Sequence, residues 1–350
     1  MGSVLVRQYR ESGYILLFDR ENGIMLRVPT EDKEPYWNVR GPELLDISIT
    51  NYCEKGCSFC YRSSNTEGKH ISLPEYEKVI MQAEAVGVTQ VALGGGNPNQ
   101  HPQFVEILRM TRAHNIIPSF TTNGQYMMDY IYDAAKEYCG AVAISWYEPY
   151  GVAINAVEQC YARGIKVNIH YLLNQESLKA ASYLLRYENQ LLSKVSAVVF
   201  LSYKPNNNAN TLCLRDNCEM DEFLSVVREY RGCKLGFDSC MISFLAKIGD
   251  DISPESLDFC EAGRFSAFIS ETCMLYPCSF MNDNGDDGID LSQISLVHGW
   301  QHGSSFIKIR ERLSLPSRQR QPIAACGLCN QYNMCRGGCP EFPINRCREG

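Results

Sequence analysis

The stretch LLDISITNYCEKGCSFCY (44–61) joins an apolar run to three closely spaced cysteines. Its first seven residues are mostly apolar and include β-branched side chains, which favours a buried β-strand. The residues that follow are polar and contain a glycine, as is typical of a loop. We therefore expect a strand over 44–50 with a chemically active loop at its carboxyl end.

From this strand onward, apolar runs with strand character alternate with stretches of helical spacing. The predicted strands cover 44–50, 88–95, 116–124, 140–146, 165–174 and 195–203. The predicted helices cover 73–87, 101–115, 127–139, 152–164 and 178–192. This alternation predicts an α/β fold with a parallel sheet, either an open barrel or a doubly wound sheet. In such folds the active site gathers where the strands end.

The first 42 residues have a different pattern. The runs GYILLFD (13–19) and GIMLRV (23–28) flank the turn-like Arg20-Glu21-Asn22-Gly23. Asn-Gly between two apolar runs predicts a β-hairpin.

Composition narrows the class of protein. The 350 residues are 45% hydrophobic and 21% charged. The net charge of −7 argues against nonspecific electrostatic binding of nucleic acid by the protein as a whole. No run approaches the ~20 apolar residues of a membrane span, and the amino terminus lacks a secretion-signal pattern. We therefore expect a cytoplasmic protein without membrane or nucleic-acid partners. The chain has 17 cysteines, and in a reducing compartment those that are clustered are expected to hold metal rather than form disulfides.

Cys53, Cys57 and Cys60 have the spacing C-x3-C-x2-C. Three thiolates on one loop can ligate three irons of a [4Fe–4S] cluster and leave the fourth iron open for a small molecule. A zinc site that takes a distant fourth ligand is the alternative.

This loop resembles the signature of the radical S-adenosylmethionine (SAM) superfamily, in which an aromatic residue, here Phe59, precedes the third cysteine. The resemblance implies a partial (β/α)6 TIM-type barrel over 44–205. It also implies that SAM binds the open iron and is cleaved to methionine and a 5′-deoxyadenosyl radical.

The same resemblance assigns SAM contacts to the loops after the strands. The implied contacts are Phe59, Gly94, Gly95, Gly96, Asn97, Thr122, Asn123, Ser145 and Asn168. Asn97 stands where the family usually has glutamate. Asparagine keeps a carbonyl acceptor without the charge, and charge-assisted hydrogen bonds are roughly twice as strong as neutral ones. We therefore expect Asn97 to influence SAM affinity.

The carboxyl-terminal cysteines have the spacing C-x2-C-x5-C-x3-C over 326–339. Alone, these four cysteines also fit a zinc site. Together with Cys260, Cys278 and Cys347 they resemble the SPASM extension of radical SAM enzymes, which implies two auxiliary [4Fe–4S] clusters and three clusters in all. The outer auxiliary cluster would use Cys326, Cys329, Cys335 and Cys347. The inner one would use Cys260, Cys278 and Cys339.

The inner cluster then lacks a fourth ligand, and we predict Cys240 for that place. Cys240 follows the strand-like LGFDS (235–239). Asp238, Cys273 and an iron left open for substrate are the alternatives. Cys273 stands where relatives have glycine, so we expect it to serve a turn.

These features predict a radical SAM enzyme with a SPASM domain that abstracts hydrogen from a peptide and introduces a cross-link, a thioether or an epimer, as in the maturation of ribosomally made peptides (RiPPs). The alternatives are a small-molecule substrate such as a sugar or amino acid, sulfatase maturation, and a non-enzymatic iron–sulfur protein. Ser279 after Cys278 argues against sulfatase maturation, because that group typically has aspartate there.

The expected partners are a peptide substrate and a flavodoxin- or ferredoxin-type reductant. Only about 43 residues precede the first barrel strand, too few for a typical separate winged-helix module. A peptide substrate is therefore expected to be held by the barrel, by the 1–42 hairpin or by a separate leader-binding protein. The expected domains are an N-terminal hairpin segment (1–43), the barrel (44–205), a connecting segment (206–254) and the SPASM domain (255–350).

Overall fold

The structure is a computed structural model that describes residues 4–21, 23–205, 212–248, 257–281, 288–314 and 324–347. The chain divides into two compact units. The first unit comprises Met1–Val142, Arg163–Ile165 and Ala262–Lys308. The second comprises Ala143–Ala162, Lys166–Glu261 and Ile309–Gly350.

The described strands are β1 (Val4–Tyr9), β2 (Tyr14–Asp19), β3 (Met25–Pro29), β4 (Leu44–Thr50), β5 (Gln90–Gly95), β6 (Ile117–Thr122), β7 (Val142–Ser145), β8 (Val167–Leu173), β9 (Ala197–Ser202), β10 (Lys234–Phe237), β11 (Ser266–Ile269), β12 (Met274–Tyr276) and β13 (Ile289–Asp290). The described α-helices are α1 (Leu73–Val86), α2 (Phe104–Ala113), α3 (Asp129–Tyr138), α4 (Tyr150–Ala162), α5 (Leu178–Tyr187), α6 (Asn189–Leu192), α7 (Cys218–Glu229), α8 (Ile242–Leu245), α9 (Leu296–His302), α10 (Ser304–Ser314) and α11 (Tyr332–Cys335).

The predicted alternation of six strands and five helices is confirmed, with one difference. The helix predicted over 178–192 is interrupted at Glu188, whose backbone leaves helical geometry (φ −92°, ψ 38°), so that α5 and α6 are separate helices. In the described part of the chain, no helix has the length and apolar character needed to cross a membrane.

The first unit begins with a three-stranded antiparallel sheet in the order β1-β2-β3. The predicted hairpin is confirmed as β2 and β3, although Asn22 of its turn lies outside the described residues. Strand β1 was not identified from the sequence. The buried face of this sheet, with Tyr9, Tyr14 and Leu16, packs in one core cluster with Phe265.

The larger sheet of the first unit has the strand order β6-β5-β4-β11-β12-β13. Its strands β6, β5, β4 and β11 are parallel, while β12 and β13 are antiparallel additions. Side chains along β4 alternate between faces: Leu45, Ile47 and Ile49 are fully buried in the core, whereas Leu44 and Asp46 lie on a half-buried face. The side of the sheet on which Leu44 and Asp46 lie is called the interior face below.

In the second unit, β7, β8, β9 and β10 follow one another in the sheet, and the β8–β9 and β9–β10 pairs are parallel. The strand expected over 235–239 is β10, but it ends at Phe237. Cys240 therefore lies in a 3-10 turn over 239–241, so Asp238 and Cys240 do not share one face of a strand.

Candidate functional site

The three cysteines of the C-x3-C-x2-C loop lie together after the carboxyl end of β4. All three are half-buried. Burial raises the pKa of the Cys57 thiol, and the nearby sulphurs of Cys60 and Cys53 add to the shift. Backbone hydrogen bonds shape the loop, with Cys60 N donating to Cys57 O at 3.1 Å and Cys53 N to Asn65 O at 3.0 Å. A group of neighbouring soft thiols on one loop fits an iron–sulfur cluster.

The end of β5 and the residues that follow it, 94–99, are called the β5 loop here. Two of its glycines closely approach the end of β4 and the start of the cysteine loop. A Cβ on Gly96 would lie 2.1 Å from the carbonyl oxygen of Tyr52. A Cβ on Gly95, where φ is +108°, would lie 2.1 Å from the carbonyl oxygen of Thr50. Gly94 differs, because a Cβ there would meet no atom within 4 Å. Gly95 and Gly96 therefore serve the packing of two loops, and Gly94 is the glycine that leaves open space.

Asn97 is buried and hydrogen-bonded on both ends of its side chain. Its Oδ1 accepts from Thr122 Oγ1 at 2.9 Å and from Asn123 N at 3.2 Å, and its Nδ2 donates to Gln125 O at 3.4 Å. Asn99 uses two of the same partners, Thr122 Oγ1 at 2.6 Å and Gln125 O at 2.8 Å. Because a hydroxyl has one proton, Thr122 shares it between the two asparagine oxygens. Asn97 thus ties the β5 loop to the end of β6, a role that the sequence did not indicate.

The end of β6 also reaches the cysteine loop. Asn123 Nδ2 lies 3.8 Å from Cys53 Sγ and donates a hydrogen bond to it. Thr122 is buried and Phe59 is half-buried. The structure therefore brings the β5 loop, the end of β6 and the cysteine loop together within the first unit.

Ser145 and Asn168 belong to the second unit. Ser145 ends β7 and is mostly buried, and its carbonyl oxygen accepts from Tyr147 N at 3.1 Å. Asn168 lies on β8 in register with Ala197 of β9 and is half-buried. Burial lowers the pKa of the neighbouring His170 to about 4, which keeps its ring neutral. The SAM contacts assigned to Ser145 and Asn168 stay predictions.

Charged groups that sequence analysis did not select lie near the cysteine loop. Arg62 is buried, donates from Nη2 to Glu271 Oε2 at 2.7 Å, and stands over the ring of Phe268 with Cζ 5.3 Å from its centroid. Ser48 Oγ donates to the same Glu271 oxygen at 2.7 Å. These contacts join the end of β4, the cysteine loop and the β11–β12 turn.

Tyr61, directly after the third cysteine, stacks on Phe280 with ring centroids 4.6 Å apart. Burial raises the pKa of Tyr61 to about 12, and the nearby Asp46, Cys60 and Cys278 add to the shift. Cys278 is half-buried and starts a 3-10 turn, with Met281 N donating to its carbonyl oxygen at 3.1 Å. Within the first unit, Tyr61 is thus near one cysteine of the SAM-cluster set, Cys60, and one of the inner auxiliary set, Cys278.

In the second unit, the structure brings Cys240 and Cys339 together. The side chains of Cys240 and Cys339 are hydrogen-bonded to each other. This bond lowers the pKa of Cys339, and Cys260 lies close enough to oppose that shift. Phe342 N also donates to Cys339 Sγ at 3.4 Å.

The alternative ligands for the inner cluster are differently placed. Asp238 accepts hydrogen bonds from the backbone and hydroxyl of Ser202, both at 2.9 Å, and pairs with the buried Lys204 at 2.8 Å. Cys273 lies in the β11–β12 turn with φ +60°, the left-handed region that favours glycine, as its turn role predicts.

The cysteines predicted for the outer auxiliary cluster also lie close to one another. Burial raises the pKa of Cys335 to about 11, with contributions from the nearby Cys347 and Cys326. Burial also raises the pKa of Cys347, and Cys326 and Cys329 add to that shift. Among the described residues, no group of three His, Cys, Asp or Glu side chains is arranged to hold a single metal ion. The assignment of ligands to clusters therefore stays a prediction.

Comparison with known proteins identifies the domain that carries the first cysteine loop. Residues 47–182 match the family model of the radical SAM superfamily. The chain carries a radical SAM domain.

The similarity extends beyond the radical SAM domain. Mycofactocin maturase MftC of Mycobacterium tuberculosis (strain CDC 1551 / Oshkosh) is 25% identical over 321 residues, which cover 85% of this chain and 78% of MftC. A crystal structure of Streptococcus suis SuiB bound to S-adenosylmethionine matches with a TM-score of 0.76 and 14% identity, covering 100% of this chain and 98% of that one. Native anSMEcpe with bound AdoMet and Kp18Cys peptide matches with a TM-score of 0.64 and 14% identity, covering 87% and 93%. The predicted α/β fold class, with a radical SAM domain and a mostly parallel sheet, is confirmed.

Proposed function

We propose that this protein is a radical SAM enzyme that acts on a peptide. It would cleave SAM, abstract a hydrogen atom from the peptide and leave a cross-link, a thioether or an epimerised residue, as in RiPP maturation. The observation that carries the radical chemistry is the convergence of Cys53, Cys57 and Cys60 beside the β5 loop and the end of β6.

The peptide substrate is supported by two relatives. MftC is named a mycofactocin maturase, and its similarity spans most of both chains. SuiB, which shares the fold, has been crystallised with the precursor peptide SuiA. Ser279 argues against sulfatase maturation, because enzymes of that group typically have aspartate at this position. A serine hydroxyl without a partner base is a poor proton acceptor.

Three [4Fe–4S] clusters and one SAM are proposed as cofactors. The SAM cluster would be held by Cys53, Cys57 and Cys60. The inner auxiliary cluster would be held by Cys240, Cys260, Cys278 and Cys339, and the outer one by Cys326, Cys329, Cys335 and Cys347. The clusters and SAM supply the radical and electron-transfer chemistry, while this chain positions its thiols and excludes water.

The proposed SAM contacts differ in how much of their support comes from the structure. Gly94 leaves open space, and Asn123 reaches Cys53. Phe59, Gly95, Gly96, Asn97, Thr122, Ser145 and Asn168 stay in the proposal by resemblance. A flavodoxin- or ferredoxin-type reductant, a separate leader-binding protein and a cytoplasmic location complete it.

The decisive experiment is anaerobic reconstitution followed by incubation with SAM and a strong reductant. We expect about twelve irons per chain, four for each cluster, and release of 5′-deoxyadenosine. One cluster together with stoichiometric zinc would remove the auxiliary clusters from the proposal. No 5′-deoxyadenosine from fully loaded protein would contradict the radical chemistry.

The substrate class is tested separately with the peptides encoded by any short open reading frames that flank the gene. Each encoded peptide is incubated with the loaded enzyme, SAM and reductant, and its mass is measured. A loss of two hydrogens from the peptide mass indicates a cross-link or thioether. When the reaction is run in D2O, uptake of deuterium without such a loss indicates epimerisation. Modification of a sugar or free amino acid, and of none of the peptides, would favour the small-molecule alternative.

A further inference from the structure

Asp46 places a carboxyl group on the interior face of β4. It is the single charged residue of that strand, and its register partners are Ala92 of β5 and Phe268 of β11. In parallel pairing, side chains at paired positions point to the same side of the sheet. Asp46 therefore lies among an alanine and an aromatic ring, neither of which neutralises a carboxylate.

No described residue forms a hydrogen bond or an ion pair with the Asp46 side chain. Burial alone raises the pKa of Asp46 to about 6. Arg62, which contacts the Phe268 ring, is paired with Glu271 at 2.7 Å. The Tyr61 hydroxyl is near Asp46 but stays protonated, since its pKa is raised to about 12. A half-buried carboxylate without a compensating partner is unfavourable, so a ligand that supplies one gains binding free energy.

The interior face has room for such a ligand beside Asp46. Ala92 and Gly94 of β5 and Ser119 of β6 are small and half-exposed. A side-chain carbon at Gly94 would meet no atom within 4 Å. Ser119 is in register with Ala92, so the small residues form one continuous surface that starts at Asp46.

We propose that Asp46 binds a protonated amine of the substrate, either a lysine side chain or a free α-amine. This inference rests on the proposed function, because it assumes that the interior face receives a substrate. An ammonium group supplies both the missing charge and hydrogen-bond donors, and such charge-assisted bonds are roughly twice as strong as neutral ones.

The test uses matched small probes on the anaerobically loaded enzyme, with binding followed by ligand-observed saturation-transfer NMR. Nα-acetyl-lysine amide is compared with its neutral analogue Nα-acetyl-norleucine amide, and alanine amide with N-acetylalanine amide. We expect one charged probe to bind at least about tenfold more tightly than its neutral partner. The pair that shows the difference tells whether the amine comes from a side chain or from an amino terminus.

Substitutions connect that difference to Asp46. In Asp46→Asn the charged and neutral probes should bind equally, whereas Asp129→Asn, at a carboxylate with an exposed side chain in the same unit, should keep the difference. Ala92→Leu should weaken all four probes by filling the surface beside Asp46, and it tests the same site should Asp46→Asn fail to fold. Equal binding of charged and neutral probes to the unsubstituted enzyme would overturn the proposal.

The pH dependence gives an independent readout. The Asp46 carboxyl is ionised above about 6 and neutral below, whereas Tyr61 and the probe amines keep their protons between pH 5 and pH 7. The advantage of the charged probe should therefore be present near pH 7 and be lost near pH 5. A preference that is unchanged between those pH values would contradict a role for Asp46.

SAM is the remaining source of an amine. If Asp46→Asn weakens SAM binding by tenfold or more while the probes bind as before, the carboxyl serves the cofactor and the proposal is wrong. Failure of the proposed function appears elsewhere, as absence of 5′-deoxyadenosine from the unsubstituted enzyme, and leaves the probe measurements decisive for Asp46.

Discussion

The side chains of Cys240 and Cys339 are hydrogen-bonded to each other, although the two residues belong to different segments of the chain. A second contact supports this placement. Asn345 Nδ2 donates to the carbonyl oxygen of Cys240 at 2.8 Å and to Ser202 Oγ at 2.9 Å. The segment between Cys339 and Cys347 thus holds the turn that carries Cys240.

The first prediction concerns this pair. Cys240→Ala should remove one ligand of the inner auxiliary cluster and lower the iron content by up to about four per chain. It should also change one auxiliary signal in electron paramagnetic resonance. Cys233→Ala is the matched control, since Cys233 is half-buried and outside both sets. Equal iron content and identical spectra for the two variants would show that Cys240 is not a ligand.

The second prediction separates the glycines of the β5 loop. In Gly96→Ala, the new Cβ would collide with the Tyr52 carbonyl oxygen. We expect this substitution to lower the free energy of unfolding by about 1–3 kcal/mol and to reduce iron at the SAM cluster. Gly94→Ala should keep the iron content, because nothing lies within 4 Å of its Cβ, and should weaken SAM binding. Thermal unfolding, iron analysis and SAM titration check both. Equal stability of the two variants would contradict the assignment.

The third prediction concerns Asn97. Asn97→Asp replaces the Nδ2 donor with an acceptor that faces the Gln125 carbonyl oxygen, so we expect a loss of about 1–3 kcal/mol of stability and a changed SAM affinity. Asn99→Asp is the control, since Asn99 shares Thr122 and Gln125 as partners. If both variants bind SAM with the same affinity, Asn97 contributes only to the loop.

The fourth prediction concerns the cysteine loop. The triple substitution of Cys53, Cys57 and Cys60 by alanine should abolish 5′-deoxyadenosine release and leave about eight irons per chain, since the other two cysteine sets are separate from this loop. Cys218→Ala, at an exposed cysteine, serves as the control. Undiminished release of 5′-deoxyadenosine from the triple variant would rule out the proposed radical chemistry at this loop.

Local sequence determined most of the elements of this fold. The apolar spacing of 73–87 predicts a helix, and the structure has α1 over Leu73–Val86, capped by Ser72 and ended by Gly87. The apolar run at 44–50 is β4. These predictions succeed because periodicity and caps involve neighbours within a turn or two of the chain. The cysteine loop was found for the same reason, since its ligand spacing lies within one short segment.

Other features depend on segments that are distant in sequence, and the tertiary structure alone decided them. The paired positions of Asp46, Ala92 and Phe268 follow from strand register. Asp46 was visible as a charge within an apolar run, but its lack of a partner among the described residues required the neighbouring strands. Likewise, Asn97 was selected as a cofactor contact, and only folding showed that its carbonyl oxygen is engaged by Thr122 and Asn123. Sequence periodicity reports which face a side chain occupies, whereas its partners across strands are set by how the chain packs.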